Sequence, residues 1–187
     1  ILDVGCGHGL LGRYLKESLK AEVHGIELVD DCYKAADKIL DKTYHGNIEI
    51  MDLYDFDKDY DYIIFSDCLE HLLNPDLAIE KVRQLLNDKG SLLISIPNVQ
   101  NFRITIPLIF KGSWQYTDEG LMDRTHLRWF TYSSITNLIN ENGYKVQEVA
   151  RELPYSSFSG ILNILLLTFF KNHLTSHFYL KACLRKF

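Results

Sequence analysis

The chain has 187 residues, 47% of them hydrophobic and 24% charged, the composition of an ordinary globular domain with room for a sizeable core. With 20 Lys and Arg against 25 Asp and Glu, the net charge of −5 argues against a general nucleic-acid binder, which would carry a basic patch or stripe. Four scattered cysteines without a Cys-x-x-Cys pair exclude zinc-finger spacing and a disulfide framework, so reduced thiols in a cytoplasmic protein are expected.

"ILDV" at 1–4 reads as the end of a buried strand and is followed by glycine at every second position, Gly5, Gly7 and Gly9. "LLGRYLKESL" then places Leu10, Leu11, Tyr14, Leu15 and Leu19 at helical spacing. "AEVHGIE" (21–27) is a second strand, and "DDCYKAADKIL" (30–40) a second helix with Asp30 or Asp31 as N-cap. "NIEIMD" (47–52) is expected as strand three and "YDYIIFSD" (60–67) as strand four.

"NPDLAIEKVRQLLNDKG" (74–90) carries helix signals at both ends: Asn74 as cap, Pro75 in the first turn and Gly90 just past the end. "SLLISIP" (91–97) is strand five. Residues 97–130 form a long irregular stretch, the mark of a lid or acceptor-binding insertion. "TYSSITNLINENG" (131–143) is a helix with a glycine stop, "YKVQEVARE" (144–152) a strand, "SGILNILLLTFFKNHL" (159–174) a helix and "SHFYLKACLRKF" (176–187) a last strand.

This alternation predicts an α/β protein, a Rossmann-like three-layer sandwich in one domain spanning 1–187. The apolar run 161–170 is shorter than the roughly 20 residues a membrane span needs. Beside Lys171, Lys181, Arg185 and Lys186 it would permit weak peripheral contact with an anionic membrane, although a packed core helix is the better reading. No signal peptide is visible. Ile1 falls inside the first strand, so the start reads as clipped.

A strand, a glycine-rich turn and a helix are the setting for a nucleotide-type ligand at the carboxyl edge of a parallel sheet. Gly7, Gly9 and Gly12 satisfy the dinucleotide fingerprint, with Glu27 about 20 residues on, which by itself would suit NAD(P) and an oxidoreductase. Asp3 tips the balance, because a carboxylate two residues before Gly5 repels a pyrophosphate and attracts a cation. Asp52 would end strand three within reach of an adenine amino group, and "SDCLEHLLNP" follows strand four across the crevice.

Through "ILDVGCGHG", "VHGIELVD", "IEIMDLYDF", "YDYIIFSDCLEHLLNP" and "LLNDKGSLLISIPN", the chain resembles the class I S-adenosylmethionine-dependent methyltransferases, closely over residues 1 to about 100 and by pattern in the tail. The resemblance implies a seven-stranded, mostly parallel sheet whose last strand is antiparallel. It assigns the methionine part to Asp3 and the turn Gly5, Cys6, Gly7 and Gly9, and the ribose hydroxyls to Glu27 with Leu28 beside it. Asp52 and the Leu53 backbone would read adenine, and Ser66 and Asp67 would line the cofactor near its sulfonium.

A hydroxyl acceptor must also lose a proton, to a base or through a metal that lowers its pKa. The candidates are Glu70 and His71 after strand four and His126 in "EGLMDRTHLRWFT". Asp67 and Glu70 would share a face by i, i+3 spacing. Glu-His after strand four, "PN" after strand five and a later His also resemble the metal-dependent small-RNA 2′-O-methyltransferases and, for Glu-His, the ubiquinone-biosynthesis O-methyltransferases. That analogy implies a Mg²⁺ site on Asp67, Glu70, His71 and His126, with Asp67 standing where those families carry Glu; a metal-free site remains the alternative.

Trp114, Tyr116, Trp129 and Phe130 are open to two readings, an acceptor pocket or the core of the insertion. The expected activity is O-methylation of a small molecule, quinone-like or, by likeness of "DRTHLRWFT" to bacterial methyltransferases working on cell-surface polysaccharides, sugar-like. An oxidoreductase or an inactive cofactor-binding domain is the alternative. Oligomeric state carries no signal.

Overall fold

The computed structural model describes residues 1–54, 56, 59–153 and 170–185. One seven-stranded sheet has the order β3-β2-β1-β4-β5-β7-β6. Its strands are β1 Leu2–Val4, β2 His24–Glu27, β3 Lys42–His45, β4 Tyr60–Ser66, β5 Leu86–Pro97, β6 Tyr144–Arg151 and β7 His177–Leu184. β1 to β5 pair in parallel, and β7 runs antiparallel to both β5 and β6. The helices are α1 Leu10–Leu19, α2 Asp30–Ala36, α3 Pro75–Val82, α4 Phe102–Lys111 and α5 Tyr132–Glu141.

Burial explains the pattern. Leu2 and Val4 of β1, with Ile63 and Phe65 of β4, meet Ile79 and Val82 of α3 and Ile135 and Ile139 of α5 in the main core. Alternation along a strand sends Asp3 to the opposite face from its two apolar neighbours. A smaller cluster of Cys6, Val23, Ala36 and Leu40 lies beneath the glycine turn and α2. All four cysteines are free thiols.

The chain departs from the sequence expectation at four places. Strand three is Lys42–His45, and the 47–51 segment is a turn instead. Asn47 closes that turn twice, its side-chain oxygen accepting the Glu49 amide at 2.8 Å and its carbonyl accepting the Ile50 and Met51 amides at 3.1 and 2.8 Å. Ile48 enters the core, but Ile50 is 83% exposed, so the apparent alternation has no buried face behind it.

The helix expected over 74–90 gives way after Val82 to a 3₁₀ turn at Arg83–Leu85, and β5 starts at Leu86. Gly90 sits inside that strand, where a Cβ would come within 2.8 Å of the Tyr60 carbonyl. α2 stops at Ala36; Asp30 and Asp31 fall in its first turn and Val29 holds the cap position without a side-chain bond. Finally, the 97–130 stretch is partly regular, with α4 capped by Asn101 and a 3₁₀ turn at Gly120–Met122. The expected helix at 159–174 falls mostly outside the described residues, among which no helix is long and apolar enough to cross a membrane.

Candidate active site

The sheet order reverses at β1, with β2 on one side and β4 on the other. The carboxyl ends of these strands therefore open a crevice at the switch point, where α/β sheets bind ligands. Gly5, Gly7 and Gly9 all have positive φ, 74°, 54° and 76°, which only glycine adopts without strain. The Gly5 and Cys6 amides both donate to the Ile26 carbonyl, at 2.9 and 3.1 Å, and tie the turn to β2.

Glu27, at the end of β2, braces the turn. Its Oε2 accepts the Gly7 amide at 2.8 Å and its Oε1 the Val29 amide at 2.7 Å. The 20-residue spacing that resembles a dinucleotide fingerprint is thus a direct contact between turn and strand end. Asp3 is only 2% exposed, and its Oδ1 has no hydrogen-bond partner. Burial, then the charge of Glu27, raises its carboxyl to about 7. An acid buried without a partner is costly until a cation or donor meets it.

The crevice has a volume of about 600 Å³, and Gly5, Glu27, Leu28 and Asp67 are among its lining residues. Asp67 has φ 47° and accepts the Ser95 hydroxyl at 2.6 Å. Cys6 lies in the small core cluster, where burial pushes its thiol up to about 12. Ser66 lines a neighbouring, more apolar cavity of about 580 Å³ with Leu11, Leu93 and Tyr179.

Asp52 and Leu53 are not among the crevice residues. Asp52 is exposed and accepts its own Tyr54 amide at 3.0 Å, while Leu53 is packed in the main core. The reason is the earlier end of β3: the wall beyond it is formed by Gly46, Asn47, Ile48 and Glu49, which do line the crevice. Reasoning from the sequence missed these four. The available signal was the β-prone "TYH" directly before Gly46.

A second group of residues meets the crevice at His71. A 3₁₀ turn at Leu69–His71 follows β4, and the Glu70 carbonyl accepts the amides of Leu127 and Arg128 at 2.7 and 3.0 Å. The Arg128 guanidinium also donates to the Leu73 carbonyl. These bonds fasten the β5–α5 segment so that His126 stands beside Glu70 and His71. The two imidazoles are 4.9 Å apart and nearly perpendicular, and His126 Nε2 is 3.9 Å from Glu70 Oε1. Trp129 packs 5.5 Å from the His126 ring, with Trp114 and Tyr116 around it, whereas Phe130 is buried in the main core.

Glu70 is 1% exposed and neither carboxylate oxygen has a hydrogen-bond partner. Burial above all, with Asp67 and Asp123 adding repulsion, raises it to about 8. Burial and the neighbouring His71 lower His126. His71 Nδ1 lies 3.2 Å from the Thr125 carbonyl and 3.1 Å from its hydroxyl, which in turn donates to Asp123 at 2.6 Å. A carbonyl only accepts, so His71 carries a proton on Nδ1, and it is Nε2 that offers the lone pair in the neutral ring. Glu70, His71 and His126 each offer a donor atom within 4.8 Å of the others; Asp67 is not part of that group.

A family model described as a methyltransferase domain matches residues 1–149. The mitochondrial ubiquinone biosynthesis O-methyltransferases of Homo sapiens and Bos taurus are 29% and 32% identical over 172 and 171 residues. Each match takes 86% of this chain and 45% of the relative, so the chain spans about half the length of those curated relatives. Among solved structures, an S-adenosylmethionine-dependent methyltransferase from Archaeoglobus fulgidus has a TM-score of 0.72 at 16% identity, covering 97% of this chain and 84% of that one. Magnesium protoporphyrin IX methyltransferase from Synechocystis, with bound SAH, has a TM-score of 0.66 at 15% identity, covering 98% and 73%. The chain belongs to the methyltransferase-domain family and has the Rossmann-like fold of the class I S-adenosylmethionine-dependent enzymes.

Proposed function

We propose that the protein transfers the methyl group of S-adenosylmethionine to a hydroxyl of a small, quinol-like acceptor. The observation that carries this reading is that Gly5 and Glu27 on the cofactor side and His71 and Thr125 on the other line one crevice. The printed names of the relatives, ubiquinone biosynthesis O-methyltransferases, support the acceptor class. A nicotinamide oxidoreductase is not favoured: the unpartnered Asp3 carboxyl suits a cationic amino-acid moiety and opposes a pyrophosphate.

In this reading the methionine end of the cofactor lies over the glycine turn with its ammonium toward Asp3, and Glu27, an acceptor-only side chain, takes the ribose hydroxyls. The nucleobase meets the Gly46–Glu49 wall. Transfer is a direct displacement: the acceptor oxygen forms a bond to the methyl carbon as the sulfur–carbon bond breaks, and alignment supplies most of the acceleration. The acceptor proton goes to Nε2 of His71, whose tautomer Thr125 maintains. His126, with Trp129 against its ring, forms the neighbouring wall.

A Mg²⁺ ion on Asp67, Glu70, His71 and His126 does not fit. Asp67 is engaged by Ser95 and lies outside the cluster, leaving two imidazoles and one carboxylate, whereas magnesium prefers oxygen donors. The orphaned Glu70 oxygens do favour a second reading, in which these three donors take a transition ion such as Mn²⁺ or Zn²⁺ that would help acidify the acceptor hydroxyl.

The test is mass-spectrometric detection of methylated product from S-adenosylmethionine and an alkyl catechol, with His71→Ala as control. Product formed by the wild type and lost in the variant, with S-adenosylhomocysteine binding retained, is the expected result. Binding of NADH with no binding of S-adenosylhomocysteine would overturn the reading.

A further inference from the structure

The crevice wall at Gly46–Glu49 is a short turn, and a turn alone would hold a nucleobase poorly. It is clamped to α3 from both directions. Lys81, on α3, directs its ammonium to the carbonyls of Ile48, Glu49 and Met51 at 3.1, 3.2 and 2.6 Å. An ammonium has three protons, so these three acceptors occupy all of them. In return Glu49, 9% exposed, accepts the amides of Asn74 at 2.6 Å and Leu73 at 3.4 Å.

Glu49 thereby fastens Leu73 and Asn74, the two residues that lead into α3, to the crevice wall. The two bonds to Glu49 and the three to Lys81 fix the backbone on both sides of Ile48. They involve charged groups that are partly withdrawn from water, where such hydrogen bonds are strong. The ties from Lys81 to the 48, 49 and 51 carbonyls hold the backbone of Ile48 and Glu49, both of which line the crevice. Base selection by backbone groups needs that backbone held before the ligand arrives.

We propose that Lys81, with Glu49, is a positioning residue that shapes the crevice wall selecting adenine. The inference rests on the cofactor reading of the crevice above. Neither side chain needs to touch the ligand; Lys81 acts through the backbone of Ile48 and Glu49.

The experiment is calorimetric titration of the wild type, Lys81→Met, Lys81→Arg and Glu49→Ala with S-adenosylhomocysteine and with S-inosylhomocysteine, alongside melting temperatures. The wild type is expected to prefer the adenosyl ligand. Lys81→Met should weaken adenosyl binding by about tenfold or more while changing inosyl binding little, so that the preference collapses. Lys81→Arg, which restores the donors, should recover most of it.

If Lys81→Met melts lower but keeps the base preference, its role is structural only and the proposal is overturned. An unchanged preference in Glu49→Ala overturns it equally, and serves as the test if Lys81→Met does not fold. A wild type that binds S-adenosylhomocysteine without base preference overturns this proposal alone. A wild type that binds neither ligand overturns the cofactor reading as well.

Discussion

The carboxylate of Glu70 and the imidazole of His126 lie 3.9 Å apart, and neither Glu70 oxygen finds a hydrogen-bond partner among the described residues. Buried carboxylates are normally satisfied, which makes this pair a candidate position for a ligand in the second reading of the site. Glu70→Gln keeps the shape and removes the titratable group. It is expected to melt within a few degrees of the wild type, because burial already favours the protonated carboxyl up to about pH 8. On the second reading of the site, Mn²⁺ should raise the wild-type melting temperature, Mg²⁺ should not, and Glu70→Gln should abolish the Mn²⁺ effect. Product formation unchanged by a chelator would remove the metal from the mechanism.

In the proposed reading, Asp3 links stability to cofactor binding. Its carboxyl is raised from 3.8 to about 7 in the fold, so the folded state holds the proton more tightly than the unfolded chain. Stability from this group is complete below pH 3.8 and falls as pH rises through about 7, by at most about 4 kcal/mol. Asp3→Asn should therefore melt higher than the wild type at pH 8 yet bind S-adenosylhomocysteine poorly. A variant that melts no higher at pH 8 would show that Asp3 is not held unsatisfied in the free protein.

The same acid predicts a proton release. If the ligand ammonium selects the ionised carboxylate, S-adenosylhomocysteine should bind more weakly as pH falls from 7 to 5. Calorimetry at pH 6 in buffers of different ionisation heat should then report close to one proton released. Affinity independent of pH across that range would place the ammonium elsewhere.

His71 and His126 are expected to separate binding from chemistry. Their alanine variants should hold S-adenosylhomocysteine within a few fold of the wild type. Loss of the base at His71 should slow methyl transfer by about 10² to 10⁴. Thr125→Val keeps the carbonyl that pins the His71 tautomer, so a smaller loss is expected there. Equal loss of cofactor binding in both histidine variants would contradict the placement of either beside the acceptor.

The glycines of the turn should differ in their tolerance. Both Gly7 and Gly9 need positive φ, but a Cβ on Gly9 would sit 3.1 Å from the Ala36 backbone, whereas one on Gly7 meets nothing within 4 Å. Gly7→Ala should cost about 1 kcal/mol from backbone strain alone, and Gly9→Ala roughly twice that or more. Equal melting temperatures for the two variants would refute the packing argument.

Much of this was legible in the sequence where local chemistry and tertiary demand agree. β1 and β4 carry apolar runs that are buried, and the glycine turn announces its own backbone angles, so Gly5 and Glu27 could be placed at one strand edge; α1 follows its helical spacing although Leu10, Leu11, Tyr14 and Leu19 are exposed. β3 could not be read in the same way. It pairs only with β2, at the sheet edge, and its residues Lys42 to His45 are no more than half-buried, which erases the apolar signal. "NIEIMD" mimics a strand because Ile48 and Ile50 alternate with polar residues, yet only Ile48 is buried.

That displacement carried the adenine assignment to Asp52 and hid Asn47, Glu49 and Lys81, whose roles depend on a turn and a helix packing together. The meeting of Glu70 with His126 was suggested by residue type alone. It is made by the Glu70 carbonyl accepting two amides from a segment more than fifty residues away, which no local pattern encodes.

The most direct measurement of this binding mode is a crystal structure with S-adenosylhomocysteine bound. The homocysteine amino group is expected toward Asp3 above the glycine turn, the ribose hydroxyls on Glu27, the adenine against Asn47 and Ile48, and the sulfur facing His71. Ligand density outside this crevice, or adenine resting on Asp52, would contradict it.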